Sequence, residues 1–114
     1  MRDEERIPSL LADIALFAAS ARRVANRGHA RFSDPDDDEQ RRIARSLVVD
    51  LSTAAARLPA SFRDEHPQVD WRGIRAVRNF IAHDYDGTDM EVLWRVIAVE
   101  FPRMADALVV SRDT

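Results

Sequence analysis

Apolar residues in this chain return every third or fourth position and in no stretch convincingly every second, a rhythm that commits it to helices. Leu10, Leu11, Ile14, Phe17, Ala18, Ala21, Val24 and Ala25 make one such stripe. Pro8 suits its first turn. Arg22, Arg23 and Arg27 crowd its last turns, where cations complement the helix dipole, and Gly28 is placed to end it in a left-handed cap. A second stripe runs through Ile43, Leu47, Leu51, Ala54, Ala55 and Leu58 until Pro59 stops it. The segment from His29 to Asp38 is polar and irregular, and Ser33-Asp34-Pro35 reads as a cap with proline at the first helical position. The acids Asp36, Asp37, Asp38 and Glu39 then belong to a first turn whose positive dipole end favours them, rather than to a metal site.

Residues 59 to 70 are charged and weakly periodic, which predicts one short helical turn around Ser61 to His66, with His66 at the surface. Asp70 can cap a third long helix from Trp71 through Ile74, Val77 and Ile81 to about His83. Thr88 and Glu91 form a capping box for a last helix carrying Leu93, Trp94, Ile97, Phe101, Met104 and Leu108, kinked at Pro102. The predicted architecture is therefore all-α: an antiparallel, up-and-down bundle of four long helices plus a short helical turn. Residues 1–114 are expected to form one domain with its core at about 8–110. With no cysteine there is neither a disulfide framework nor a thiolate metal site. No uninterrupted apolar run of signal or membrane-span length follows the charged N-terminus, so the expectation is a cytoplasmic protein with no membrane contact. A net charge of −3 argues against a uniformly basic nucleic-acid coat and confines any RNA contact to a small, local cationic site.

One stretch supplies such a site. Arg78, His83 and Tyr85 combine a permanent forked cation, a proton carrier and a hydroxyl, with Asn79 and Asp84 beside them as supporting groups. An Arg-x4-His pair should arise by chance about 0.4 times in a chain of this composition, and adding the only tyrosine two residues later lowers that to roughly 0.004. The triple is the informative unit. Cutting RNA without metal or cofactor needs a base for the ribose 2′-hydroxyl, an acid for the leaving oxygen and a cation on the phosphate. One chain offers one suitable histidine, and positions 78 and 83 lie roughly 140° apart on a helix. A two-fold dimer would face two copies of each across one cleft. The competing reading makes His83 a helix-end residue that complements the dipole, Arg78 a surface ion pair and Tyr85 a half-buried aromatic.

The stretch Arg78-Asn79-Phe80-Ile81-Ala82-His83-Asp84-Tyr85 resembles the HEPN superfamily, specifically its HepT-like branch. Supporting blocks are Ala60 to Pro67, Val69-Asp70-Trp71-Arg72, Arg75-Ala76-Val77, and Gly87-Thr88-Asp89 leading to Val92-Leu93-Trp94 and Phe101-Pro102. The resemblance implies a helical dimer acting as a toxin ribonuclease through Arg78 and His83, paired with a minimal nucleotidyltransferase antitoxin that adenylylates Tyr85. Two positions depart from the pattern. The small-residue run Leu51-Ser52-Thr53-Ala54-Ala55 lacks an expected acidic residue, and Asp86 stands where an aromatic often follows the tyrosine. An alternative of a different class is a non-catalytic helical dimer, the nucleotide- or partner-binding subunit of a nucleotidyltransferase.

Overall fold

The computed structural model describes the backbone of residues 3–83 and 90–113, with side chains at 5–79 and 90–108. Its elements are α1 (Asp3–Asn26), α2 (His29–Phe32), α3 (Glu39–Ala56), α4 (Ala60–Asp64), α5 (Trp71–His83), α6 (Met90–Arg95), a π-helical turn (Val96–Glu100) and α7 (Phe101–Asp113). The fold is all-α, and no strand occurs among the described residues. α1, α3, α5 and the rod made by α6, the π turn and α7 are the four long members. α1 lies against α3, α7 and the π turn, and α5 lies against α3.

The antiparallel arrangement is fixed by contacts at helix ends. Arg27, just past α1, donates through Nη1 to Oε1 of Gln40 in the first turn of α3 at 2.9 Å. Between α1 and α7, Arg22 pairs with Asp106 at 2.6 Å, while His29 beyond α1 pairs with Glu91 at the start of α6 at 2.8 Å, so α1 and the last rod run in opposite directions. The predicted stripes are the ones buried. Leu10, Ile14, Ala18, Ala21 and Val24 of α1 meet Leu47, Leu51, Ala54 and Ala55 of α3, and Leu93, Ile97, Phe101, Met104 and Leu108 close the core from the last rod.

Several local expectations are corrected. α1 begins at Asp3, not near Pro8, and the proline sits inside it at the cost of one early backbone bond. Gly28 does take a positive φ of 98°, but with ψ 152° it swings the chain outward into α2 and is not a left-handed helix cap. The stretch from His29 to Asp38 is not wholly irregular: it contains α2. Ser33 ends α2, its hydroxyl donating to the His29 carbonyl at 2.8 Å, and does not start α3. Helix α3 starts four residues after Pro35. Of the four acids only Glu39 is in its first turn, since Asp34 and Asp37 accept backbone bonds from Asp36 and Glu39 in the preceding turns. Asp38 carries a side-chain hydrogen bond from Arg42 that holds its carboxyl below the usual carboxylate range. His66 is buried, not at the surface. Its Nδ1–H donates to the Phe62 carbonyl at 2.7 Å and its ring stacks on Phe62 at 4.1 Å. The capping box at Thr88 lies outside the described residues. The kink expected at Pro102 takes the form of the preceding π turn, where the Phe101 N–H reaches the Val96 carbonyl five residues back. Proline cannot donate to the carbonyl four residues back, and the wider turn accommodates that lost bond.

α2 has a structural job that its four residues conceal. Phe32 is fully buried and tilts against Trp94 at 5.1 Å, and His29 meets the same indole edge-on. Phe32 thereby fastens the α1–α3 connection to the last rod. Phe32→Ala should cost about 3–5 kcal/mol, the usual range for emptying a buried aromatic site. Chemical denaturation is the measurement, with an unchanged slope and a lowered midpoint expected.

Candidate functional site

Helix α5 is the most one-sided element in charge. Its sequence, WRGIRAVRNFIAH, holds three arginines and no acid in a chain of net charge −3. Trp71, Ile74 and Val77, at three-residue spacing, are the half-buried face turned to the core. The start of the helix is secured by Asp70, whose carboxylate accepts from the Gly73 N–H at 2.9 Å, as the sequence predicts. A Cβ at position 73 would collide with that same carboxylate, so the glycine and its cap are mutually dependent.

Helix α4 is joined to α5 through one side chain. The indole N–H of Trp71 is shared between the carbonyls of Arg63, at 3.2 Å, and His66, at 3.0 Å. Each carbonyl also accepts a local backbone bond, Arg63 from the His66 N–H at 3.0 Å and His66 from the Val69 N–H at 3.1 Å, so the indole is a second donor that ties this turn to α5. With α4 held there, Arg63 reaches toward the seam between α3 and α5, where Ser52, Ala55 and Ala56 leave room. Arg75 and Arg78, one turn apart on α5, border the same hollow of about 110 Å³. Among the described residues none of these three guanidiniums is in a salt bridge. The Nε of Arg63 is enclosed and makes no hydrogen bond among the described residues. The Ser52 hydroxyl is committed to the carbonyls of Val48 and Val49 on its own helix, so it adds only an acceptor oxygen to the hollow.

A second, larger groove of about 470 Å³ lies on the other side of α5. Val69, Ile74 and Val77 form one wall, and Val96, Phe101 and Met104 of the last rod form the other.

The five residues singled out in the sequence fare differently. Arg78 and Asn79 are exposed on α5, Arg78 at the mouth of the small hollow. His83 is the last residue of α5 and is described by its backbone alone; Asp84 and Tyr85 lie outside the described residues. Helical register from 78 to 83 is unbroken, which preserves the angle of about 140° between these positions. The sequence reading missed Arg63 and Arg75 as neighbours of Arg78. The three-residue spacing Arg72, Arg75, Arg78 without an intervening acid was a usable signal for Arg75. Nothing comparable marks Arg63, because it arrives from another helix.

The family model described as ribonuclease HepT-like matches residues 14–110. A protein of Methanocaldococcus jannaschii named as an RNase is 33% identical over 67 residues, 59% of this chain and 54% of that protein. An RNase-named protein of Caldanaerobacter subterraneus is 33% identical over 64 residues, 56% of each chain. One of Thermococcus cleftensis, named as a probable ribonuclease HepT, is 29% identical over 69 residues, 60% of this chain and 62% of its own length. The matched stretch thus spans about half to three-fifths of these relatives. No solved structure matches. No helix among the described residues is long and apolar enough to cross a membrane.

The joint that places Arg63 is directly testable. Trp71→Phe keeps most of the ring but removes a donor that two carbonyls accept beside the backbone N–H groups of His66 and Val69, a loss worth roughly 0.5–1.5 kcal/mol. Thermal unfolding should show a midpoint lower by several degrees for a chain of this size.

Proposed function

We propose that this chain, which belongs to the ribonuclease HepT-like family, is a metal-independent endoribonuclease that works as a homodimer and as the toxin half of a toxin–antitoxin pair. The observation that carries the reading is Arg78: an exposed guanidinium, paired with no carboxylate among the described residues, on a helix without acids that ends at His83. A cation left unneutralised in an acidic protein is suited to an anionic substrate.

The chemistry follows from RNA's own structure. One histidine accepts the 2′-hydroxyl proton as that oxygen attacks the adjacent phosphorus. The new O2′–P bond forms while the P–O5′ bond breaks, and the 5′-oxygen takes a proton from a second histidine. The products are a 2′,3′-cyclic phosphate and a 5′-hydroxyl, and the two histidines have exchanged protonation states. Arg78 stabilises the crowded, more negative phosphorus centre through its fork of N–H donors. In a concerted displacement one imidazole cannot take the 2′-hydroxyl proton and protonate the 5′-oxygen at the same moment, so a second His83 is the natural acid. The angle of about 140° between positions 78 and 83 also favours completion across a two-fold axis. Asn79 and Asp84 act as orienting groups.

Regulation rests on Tyr85, two residues beyond His83. A nucleotidyltransferase partner transfers adenylate from ATP to the phenolic oxygen, with pyrophosphate leaving. The phosphodiester so formed adds negative charge and bulk beside the site and competes with RNA for Arg78.

Purified protein incubated with total RNA and tRNA in chelator should cleave, and His83→Ala should reduce the rate on the order of 100- to 10,000-fold with folding intact. Wild-type rate from that variant would remove His83 from the mechanism. Tyr85 has a separate readout, intact mass: the partner enzyme with ATP and Mg²⁺ should add adenylate to wild type and none to Tyr85→Phe, with cleavage falling in step.

A further inference from the structure

Arg63, Arg75 and Arg78 converge on one hollow from two helices, and its lining contains no acid. Arginine cannot shed its proton to relieve the mutual repulsion, so the cluster is most stable with an anion among the three. The enclosed Arg63 Nε has no acceptor among the described residues and is a donor available to a ligand.

We propose that this hollow holds a backbone phosphate of RNA next to the one that is cut, with Arg63 and Arg75 as binding residues additional to Arg78. This rests on the ribonuclease reading above. Size favours a phosphate over a whole nucleotide, since about 110 Å³ is far below the roughly 300–1,000 Å³ of pockets that enclose drug-sized ligands. Position favours a strand over a free ion. Arg75 sits about 4.5 Å along α5 from Arg78, toward the helix start and away from His83. A strand with one phosphate at the motif would therefore lay a neighbouring phosphate over Arg75 and Arg63. The methyl groups of Ala55 and Ala56 keep the floor of the hollow small and uncharged, where a longer or acidic side chain would fill it.

The test separates binding from cutting by using a fully 2′-O-methylated oligoribonucleotide, which lacks the attacking hydroxyl. Its affinity is followed by fluorescence anisotropy across a salt series for wild type, Arg75→Gln, Arg63→Gln and the double variant, with thermal melts confirming folding. Each substitution should weaken binding roughly tenfold. Each should also lower the slope of log affinity against log salt by about 0.7, the single-strand value for one phosphate contact. Arg75 is exposed, so its variant reports even if replacing the partly enclosed Arg63 unfolds the chain. Equal affinity and slope for wild type and Arg75→Gln overturn the proposal, as does failure of wild type to bind the oligomer. Inorganic phosphate that raises the melting temperature of wild type alone, with oligomer binding unchanged in the variants, identifies a free-anion site and also overturns it. If the slopes change as expected but unmodified RNA is not cut, the phosphate site stands and the catalytic reading falls.

Discussion

The bond that most of the functional surface depends on is the one from the Trp71 indole to the carbonyls that close α4. A five-residue helix has almost no internal hydrogen bonding to sustain it. It persists because its last carbonyls have a donor from the next helix, because His66 folds back onto Phe62, and because Leu58 and Val69 are buried on either side. α5 itself contributes no fully buried side chain among those described and leans on α3 through Trp71, Ile74 and Val77. Without the shared indole bond, α4 and Arg63 would lose their registration against α5, and the hollow would lose one of its three walls.

The long elements were legible because a helix that buries one face must repeat its apolar residues at its own pitch: the stripes of α1, α3 and the last rod are the buried ones, and Trp71, Ile74 and Val77 of α5 are half-buried against them. The short elements were not. α2 is four residues long, too short to show a period, and its one core residue, Phe32, looks in sequence like a stray aromatic in a polar loop. The start of α3 was misplaced because Ser33-Asp34-Pro35 has the composition of a helix cap, yet the serine is consumed by α2 and the aspartates by turns of their own. His66 before a proline reads as a surface residue. Its burial is decided by Phe62 four residues earlier and by nothing in its immediate neighbours.

The same distinction governs the site. Arg78 and His83 announce themselves by spacing along one helix, which a sequence displays directly. Arg63 belongs to the hollow only because two helices meet at a particular angle, and no spacing rule encodes that meeting. The missing acid in the run Leu51 to Ala55 changes meaning once the helices are in place. Ser52 and Ala55 of that run line the hollow, so without an acid there the arginines have no counter-charge within its lining. Small residues here do two things: they let α5 approach α3, and they leave the cations available.

Gly73 carries a consequence for how this helix can change over time. Its missing side chain is the space into which the Asp70 carboxylate folds, so the glycine's helix penalty of about 1 kcal/mol is set against a cap of similar worth. Alanine at 73 alone evicts the cap, and loss of Asp70 alone leaves a glycine with nothing to justify it. Two solutions of similar merit, capped with glycine or uncapped with alanine, are thus one substitution apart, whereas loss of Asp70 gives up the cap and keeps the glycine's cost. Position 73 therefore tolerates alanine only by giving up the contact that fixes where α5 begins.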